Sequence, residues 1–143
     1  MNDQYTEGQT FKNQNFTEKK LLSGEYENCT FSGCVFSNAD LAKLIFVDCT
    51  FEQCDLSMAK LRGTSYREVH FQSCKLLGLR FDESNSFLLS FTFKTCTLNF
   101  SSFVDTIEFI PLETNEENLI GDVERIIYRN GRYYIRTTQG MLH

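Results

Sequence analysis

The segment FEQCDLSMAKL, which runs from Phe51 to Leu61, repeats a simple pattern every five residues. Large apolar residues stand at Phe51, Leu56 and Leu61, and a smaller residue, Cys54 or Ala59, comes two positions before the second and the third. A period of five matches neither the 3.6-residue helix nor the two-residue strand, because either would spread the large residues over several faces. The chain is therefore predicted to turn a corner every five residues and to point one large side chain inward on each side.

The pattern extends from this segment in both directions. Steps of five meet only Phe, Leu or Tyr, in the order Phe11, Phe16, Leu21, Tyr26, Phe31, Phe36, Leu41, Phe46, Phe51, Leu56, Leu61, Tyr66, Phe71, Leu76 and Phe81. Small or moderate residues precede most of them by two positions, namely Cys29, Cys34, Ala39, Cys49, Cys54, Ala59, Thr64, Val69 and Cys74. Both positions are predicted to face the interior, and the three remaining, mostly polar positions are predicted to face solvent.

A longer period, made of four five-residue steps, is contained in this pattern. Thr10, Thr30, Thr50 and His70 each stand immediately before a Phe, at intervals of 20. Equivalent residues therefore return on every fourth side, as expected for a coil with four sides. Successive coils would lie ~4.8 Å apart, the usual distance between strands. The predicted fold is all-β, a quadrilateral β-helix in which Phe stacks on Phe and Cys on Cys.

The five-residue frame shifts once, after Phe81. The next regular run is Leu88, Phe93, Leu98 and Phe103, and the residues two positions earlier are Ser86, Phe91, Cys96 and Ser101. The step from 81 to 88 is two positions longer than the regular step, so a two-residue insertion is predicted near 83–87, where the sequence is polar and typical of a turn. The repeat domain is predicted to span 9–105, and 106–143 forms a C-terminal extension.

The C-terminal extension follows a different pattern. Thr114 and Glu117 form a capping box, and apolar residues follow at helical spacing, which predicts a helix at about 115–129. The alternative is a hairpin, because Asn130-Gly131 between two apolar runs is a turn signal. Either structure would cap the end of the stack or form a homodimer contact. The candidate residues are Leu119, Ile120, Val123, Ile126 and Ile127.

Composition and motifs restrict the function classes. A net charge of −5 disfavours direct nucleic-acid binding. Neither a signal peptide nor an apolar run of membrane-spanning length is present, so the expectation is a cytoplasmic protein with no membrane partner. The phase of the repeat accounts for all six Cys as interior thiols, and no nucleophile, phosphate-binding or zinc motif occurs. We therefore predict a non-enzymatic protein with no metal and no cofactor, in which His70 faces solvent.

The solvent-facing charges differ between the sides of the predicted coil. One side is mainly acidic and carries Glu25, Glu27, Asp48 and Glu68, with Arg67 among them. Another side is mainly basic and carries Lys19, Lys20, Lys43, Lys60, Arg62 and Arg80. The candidate partner-binding residues are those on the acidic side and those at the predicted insertion, namely Glu25, Glu27, Asp48, Glu68, Asp82, Glu83 and Asn85.

Across residues 9–105 the sequence resembles the pentapeptide-repeat family, and the segment from Phe51 to Leu61 is similar to quinolone-resistance and topoisomerase-protecting members. The resemblance implies a right-handed β-helix that dimerises, imitates duplex DNA with an acidic surface and binds DNA gyrase, with the insertion in the place of a functional loop. Three departures are the short rod, its nearly neutral coil and the non-repeating extension. The alternative is a scaffold that binds another protein.

Overall fold

The computed structural model describes residues 4–85, 87–98 and 100–101, together with three strands nearer the C-terminus. In the described part of the chain, twelve strands and one short 3₁₀ helix, Phe81–Glu83, follow one another. The first nine strands are β1 (Gln4–Glu7), β2 (Thr10–Lys12), β3 (Gly24–Glu27), β4 (Thr30–Ser32), β5 (Ile45–Val47), β6 (Thr50–Glu52), β7 (Ser65–Arg67), β8 (Val69–Gln72) and β9 (Phe91–Thr97). The last three are β10 (Glu108–Ile110), β11 (Asp122–Arg129) and β12 (Arg132–Thr137).

The strands stack as the sides of a four-sided coil. Face 1 is the parallel sheet of β1, β3, β5 and β7, and face 2 contains β2, β4, β6, β8 and β9 in parallel. Face 3 is linked by single bridges from Asn15 through Val35, Asp55 and Lys75 to Thr97, and face 4 by a bridge from Asp40 to Lys60. The prediction of a four-sided β-helix is confirmed.

The register of face 2 confirms that equivalent residues return on every fourth side. Thr10 pairs with Thr30, Thr30 with Thr50, and Thr50 with His70. Each pairing brings the following Phe residues into line, so their rings stack. Ring centroids along Phe11, Phe31, Phe51, Phe71 and Phe93 are 4.7 to 5.0 Å apart, with interplanar angles of 7° to 19°. Phe therefore stacks on Phe at about one interstrand spacing.

The corners between faces are formed by residues in the left-handed conformation, two positions after each central residue. Twelve non-glycine residues in the described part of the chain have positive φ, among them Asn28, Lys43, Met58 and Glu68. Several corners are also closed by backbone hydrogen bonds from the fourth residue to the first, as in Ala39 to Phe36 at 2.9 Å. This is the geometry of a type II turn, which requires positive φ at its third residue.

The interior is filled by the two positions that the repeat predicts. The central residues from Phe16 to Phe81 are buried, and Phe11, in the first coil, is half-buried. Every Cys is buried, and so are Ala39, Ala59, Thr64 and Val69 at the equivalent inner positions. This burial of apolar side chains supplies the main stabilising free energy of the coil.

The register changes between Asn85 and Phe91. The amide of Asn85 donates to the Thr64 carbonyl, in the same register as Ser65 to Leu44 one coil earlier. Val69 then pairs with Phe91, although the regular repeat would bring Leu89 to that place. The two extra residues therefore lie between Asn85 and Phe91, on face 1. Leu88 was expected in the core, but that prediction is wrong, because Leu88 occupies a left-handed corner and is 63% exposed while Leu89 is buried instead.

The helix predicted at about 115–129 is wrong over residues 122–129, which form β11. This strand pairs antiparallel with β9 and with β12, and β12 also pairs with β10 in parallel. The physical reason is that the last coil leaves an unpaired strand edge on face 2, and a strand satisfies its backbone groups where a helix would not. Residues 115–121 of the predicted helix lie outside the described residues.

Candidate functional site

The acidic residues predicted to bind a partner lie on face 1 and at its corner with face 2. Glu25 and Glu27 are on β3, where both are half-buried. Asp48 and Glu68 follow β5 and β7 as left-handed corner residues, and both are exposed. The structure therefore places these four carboxylates along one edge of the coil rather than in a single row.

Face 1 begins with an interaction between Tyr5 and Glu27. The Tyr5 hydroxyl donates to the Glu27 carboxylate at 2.5 Å, across the pairing of β1 with β3. This hydrogen bond to a carboxylate raises the pKa of Tyr5 to about 12. Glu27 is thus engaged at the N-terminal end of the face, whereas Asp48 and Glu68 are exposed further along it.

The other end of face 1 is formed by the insertion. Asn85 starts it and accepts a hydrogen bond from the Phe87 amide at 2.9 Å. Phe87 and Leu88 are 61% and 63% exposed, and Arg67 lies under the Phe87 ring at 5.5 Å from its centroid. The quadrupole of an aromatic ring attracts a cation that lies against its face. The insertion therefore covers Arg67, the basic residue that stands among the acidic residues of face 1.

Glu68 connects the corner to the insertion. Its carboxylate accepts a hydrogen bond from the Ser90 hydroxyl at 3.0 Å. The Val69 amide also donates to the Ser90 carbonyl at 3.1 Å, so the end of the insertion is attached to the coil by both backbone and side chain. Acidic Glu68 and apolar Phe87 and Leu88 therefore lie on the same end of face 1, which we call the insertion end.

Asp82 and Glu83 are placed differently from the other predicted residues. Both lie in the 3₁₀ helix on face 4, and Arg80 makes a two-pronged ion pair with Asp82 at 2.7 and 2.9 Å. The hydrogen bonds from Arg80 lower the pKa of Asp82 below its ordinary value. Asp82 is therefore neutralised within the chain and does not extend the acidic surface of face 1.

The predicted contact residues of the C-terminal extension are only partly described. Leu119 and Ile120 lie outside the described residues. Val123, Ile126 and Ile127 lie on β11, and all three pair with β9. The backbone of β11 thus covers the edge of β9 within the chain, and the dimer contact stays a prediction.

The six Cys side chains occupy one repeated environment. All are free thiols and buried, and each donates to a carbonyl of the neighbouring coil, as Cys54 does to Phe31 at 3.2 Å. Thr64 and Ser101 make the equivalent bonds with their hydroxyls, both at 2.7 Å. Burial raises the pKa of the Cys49 thiol to about 12. A thiol with so high a pKa is a poor nucleophile at neutral pH, which argues for packing rather than catalysis at Cys49.

The described part of the chain contains no group of three or more His, Cys, Asp or Glu residues that could hold a metal ion, and His70 is exposed on β8. It also contains no helix long and apolar enough to cross a membrane. A cavity of about 340 Å³ opens at the N-terminal end of the coil, where Phe11, Gln14 and Phe16 contribute to its lining.

Sequence reasoning missed the exposure of the insertion. Phe87, Leu88 and Leu89 are three consecutive large apolar residues, so the periodicity alone did not show which of them faces inward. The departure from the five-residue step was the available signal. An insertion in a regular coil must loop outward, and the apolar residues at its tip are then exposed.

Comparisons with known proteins give two family matches. Residues 24–103 match the model of a family described as pentapeptide repeat region. Residues 82–141 match a second model, described as a 6-bladed beta-propeller, which covers less than half of the chain. The two matches overlap at β9, which stacks on β8 as part of the repeat. No curated protein sequence matches the chain.

Solved structures of QnrB1, described as a plasmid-mediated fluoroquinolone resistance protein, are similar to this chain. A trypsin-treated form is 28% identical over 74% of this chain and 54% of its own, with a TM-score of 0.39. The full-length form is 21% identical over 70% of this chain and 58% of its own, with a TM-score of 0.31. The chain thus spans little more than half the length of these proteins.

Membership is decided by the family model, which covers more than half of the chain. The matched residues are those in which five-residue sides, left-handed corners and stacked central residues recur in the structure. The chain belongs to the pentapeptide-repeat family.

Proposed function

We propose that the protein is a non-enzymatic binding protein that docks another protein on face 1, with the insertion end as the centre of the contact. The observation that carries this proposal is the exposure of Phe87 and Leu88 on the insertion whose Ser90 donates a hydrogen bond to the Glu68 carboxylate. Exposed apolar side chains bordered by charge are typical of protein-interaction sites. The partner would therefore present an apolar pocket with basic residues at its rim.

The more specific form of the proposal is that the partner is DNA gyrase or a related topoisomerase, which the protein protects from quinolones by imitating duplex DNA. The resemblance of the segment from Phe51 to Leu61 supports this partner, and such a partner would place the protein in the cytoplasm. Four carboxylates, Glu25, Glu27, Asp48 and Glu68, follow one edge of the coil over two coil steps, ~10 Å. Duplex DNA carries about six charges over that length. The carboxylates of face 1 thus reproduce part of the charge of duplex DNA. The exposed side chains of Phe87 and Leu88 would supply further contact with the partner.

The experiment is a gyrase supercoiling assay with a fluoroquinolone, titrated with this protein. The proposal expects supercoiling to be rescued by the wild type and lost with Phe87→Ala/Leu88→Ala. Because both side chains are exposed, this variant should keep the melting temperature of the wild type. A matched control is Met58→Ala, which removes another exposed apolar side chain, 57% exposed, from a corner away from face 1. If Phe87→Ala/Leu88→Ala and Met58→Ala rescued supercoiling equally well, the insertion end would not be the docking surface.

A second candidate function is a scaffold whose face 1 binds a protein other than a topoisomerase. The observation that favours it is the low charge density of face 1, since Arg67 lies among the acids and Glu27 is engaged by Tyr5. Absence of any effect on gyrase, even at a large excess of protein, would favour this function. Capture experiments that compare the wild type with Phe87→Ala/Leu88→Ala would then identify partners that depend on the insertion end.

We also propose a homodimer formed through the C-terminal extension. Two copies joined there would align two repeat coils end to end, and thus lengthen the acidic edge. Light scattering after size-exclusion chromatography would measure the mass in solution. A mass of 16.6 kDa at micromolar concentration would exclude the dimer, and a mass of twice that value, lost on replacing Ile126 and Ile127 with Lys, would support it.

A further inference from the structure

Four buried thiols form a single straight column along face 3. The thiol column consists of Cys34, Cys54, Cys74 and Cys96, which occupy the same inner position in four successive coils. Each sulfur contacts two carbonyl oxygens, one in the previous coil and one two residues earlier in its own coil. The first distance is 3.2 to 3.5 Å and the second is 3.4 to 3.6 Å throughout the column. The four sulfurs are therefore related by the translation from one coil to the next.

That translation is measured by the stacked rings. Phe16 and Phe36, on the same face, have ring centroids 4.9 Å apart, and the Phe column of face 2 repeats at 4.7 to 5.0 Å. Because the column repeats by this translation, neighbouring Cβ atoms and neighbouring sulfurs are both expected at the same spacing, which exceeds the ~3.5–4.5 Å that a disulfide requires between Cβ atoms. It does match the ~4.6 Å between two thiolates on opposite sides of one metal ion, at ~2.3 Å per bond.

The N-terminal end of the column lies next to a cavity. In the first coil the equivalent inner position is Gln14, whose carbonyl accepts the Val35 amide at 2.9 Å. Gln14 lines the cavity of about 340 Å³ at the N-terminal end, together with Phe11 and Phe16. Cys34 is the next inner residue along the column. Gln14 therefore occupies the column position between Cys34 and the cavity.

We propose that the thiol column binds a soft divalent metal ion of linear coordination, for which Hg²⁺ is the representative, between two adjacent sulfurs. Two thiols lose their protons to solvent and the ion forms two metal–sulfur bonds, which gives a neutral complex. Neutrality matters because an uncompensated charge in this apolar interior would carry a large desolvation penalty. Zn²⁺ takes four ligands in a tetrahedron, which a straight column cannot supply.

The test uses HgCl₂ and two variants with equal numbers of thiols, both made with Cys29→Ser/Cys49→Ser to remove the second, shorter column. Cys34→Ser/Cys96→Ser keeps the adjacent pair Cys54 and Cys74. Cys54→Ser/Cys74→Ser keeps two thiols three coil steps apart, ~14 Å. Ser should retain the fold in both variants, because Thr64 and Ser101 already make the same hydrogen bond with a hydroxyl.

The adjacent-pair variant is expected to bind one ion and lose both titratable thiols, with two protons released per ion. In competition with a dithiol chelator, the separated-pair variant should bind at least ~100-fold more weakly. Native mass spectrometry and thiol titration measure both quantities, and far-UV circular dichroism should stay unchanged during uptake. Equal affinity in the two variants would overturn the proposal. The proposal would also be overturned if Hg²⁺ bound only while the far-UV circular dichroism signal of the β-structure was being lost, since the ion would then bind the unfolded chain.

Discussion

Faces 1 and 2 are both lined by aromatic columns, but their rings pack differently. On face 2 the Phe rings repeat at 4.7 to 5.0 Å. On face 1, Tyr26, Phe46 and Tyr66 repeat at 5.7 and 6.0 Å. The Tyr26 hydroxyl donates to the Leu22 carbonyl, whereas the buried Tyr66 hydroxyl has no hydrogen-bond partner within the part of the chain that the structure describes. A column of Phe rings is stabilised by close packing alone. In a column that contains Tyr, each buried hydroxyl also needs a hydrogen-bond acceptor.

The largest expected effect is on face 2. Phe51→Ala removes a ring that stacks at 4.7 and 5.0 Å on its two neighbours and is fully buried. Loss of its burial and the resulting cavity should lower the free energy of unfolding by ~3–5 kcal/mol. Urea denaturation measures the change. Phe11→Ala is the matched control, with a smaller loss because Phe11 is half-buried; equal losses would contradict the assignment of Phe51 to the core.

The thiols behind face 2 should make the fold sensitive to alkali. Burial raises the pKa of Cys49 from an ordinary value near 9 to about 12. The unfolded thiol ionises first, so stability is complete below pH 9 and falls as the pH rises towards 12, by up to ~4 kcal/mol for this group.

Denaturation at pH 8 and at pH 11 would measure this loss. Cys49→Ser should flatten the dependence, because a hydroxyl at this position does not ionise in that range. An identical slope in the wild type and the variant would show that Cys49 does not contribute.

Face 1 should gain stability from the change that removes its unpaired hydroxyl. Tyr66→Phe leaves the stacked ring in place and eliminates a buried polar group without a partner among the described residues, so the free energy of unfolding should rise by ~1–3 kcal/mol. Tyr26→Phe is the matched comparison and should lower it by ~0.5–1.5 kcal/mol, since a hydrogen bond is lost. Thermal denaturation of both variants would test the difference in sign.

The smallest effect is expected at the corner that leads into face 1. Lys43 is exposed, and it forms the corner with its left-handed backbone rather than with its side chain. Lys43→Glu should therefore change the free energy of unfolding by less than ~0.5 kcal/mol. A glutamate has a similar tolerance for the left-handed conformation, because its side chain is likewise unbranched at Cβ. A fall of several degrees in melting temperature would mean that the assigned phase of the repeat is wrong at this corner.

Much of the fold was predictable because each repeat specifies its own local geometry. The spacing of Phe31 and Phe51 predicted both the four-sided coil and the stack of rings, which the pairing of Thr30 with Thr50 confirms. The register around Leu88 was not predictable in the same way. Three apolar residues in a row fit more than one phase, and the choice among them depends on contacts with β7 and β8, which belong to the preceding coil.

The candidate site was predicted only in part. The acidic side was visible from the spacing of Glu25, Glu27, Asp48 and Glu68, because residues on one side of a regular coil share a position in the repeat. The neutralisation of Asp82 by Arg80 and the covering of Arg67 by Phe87 were not visible. Both contacts depend on side-chain conformations where the repeat is irregular. At such positions the five-residue period does not predict which way a side chain points.

The sequence alone specified the interior of this protein, because a strict five-residue period assigns each side chain to the inside or the outside of the coil before any distant contact is made. The tertiary structure decided the ends. At β9 the choice between a helix and a hairpin for residues 122–129 was settled by the open strand edge of face 2, which pairs with β11. The physical reason is that an edge has unpaired backbone groups whatever side chains it carries, and only an element brought to it in space can satisfy them.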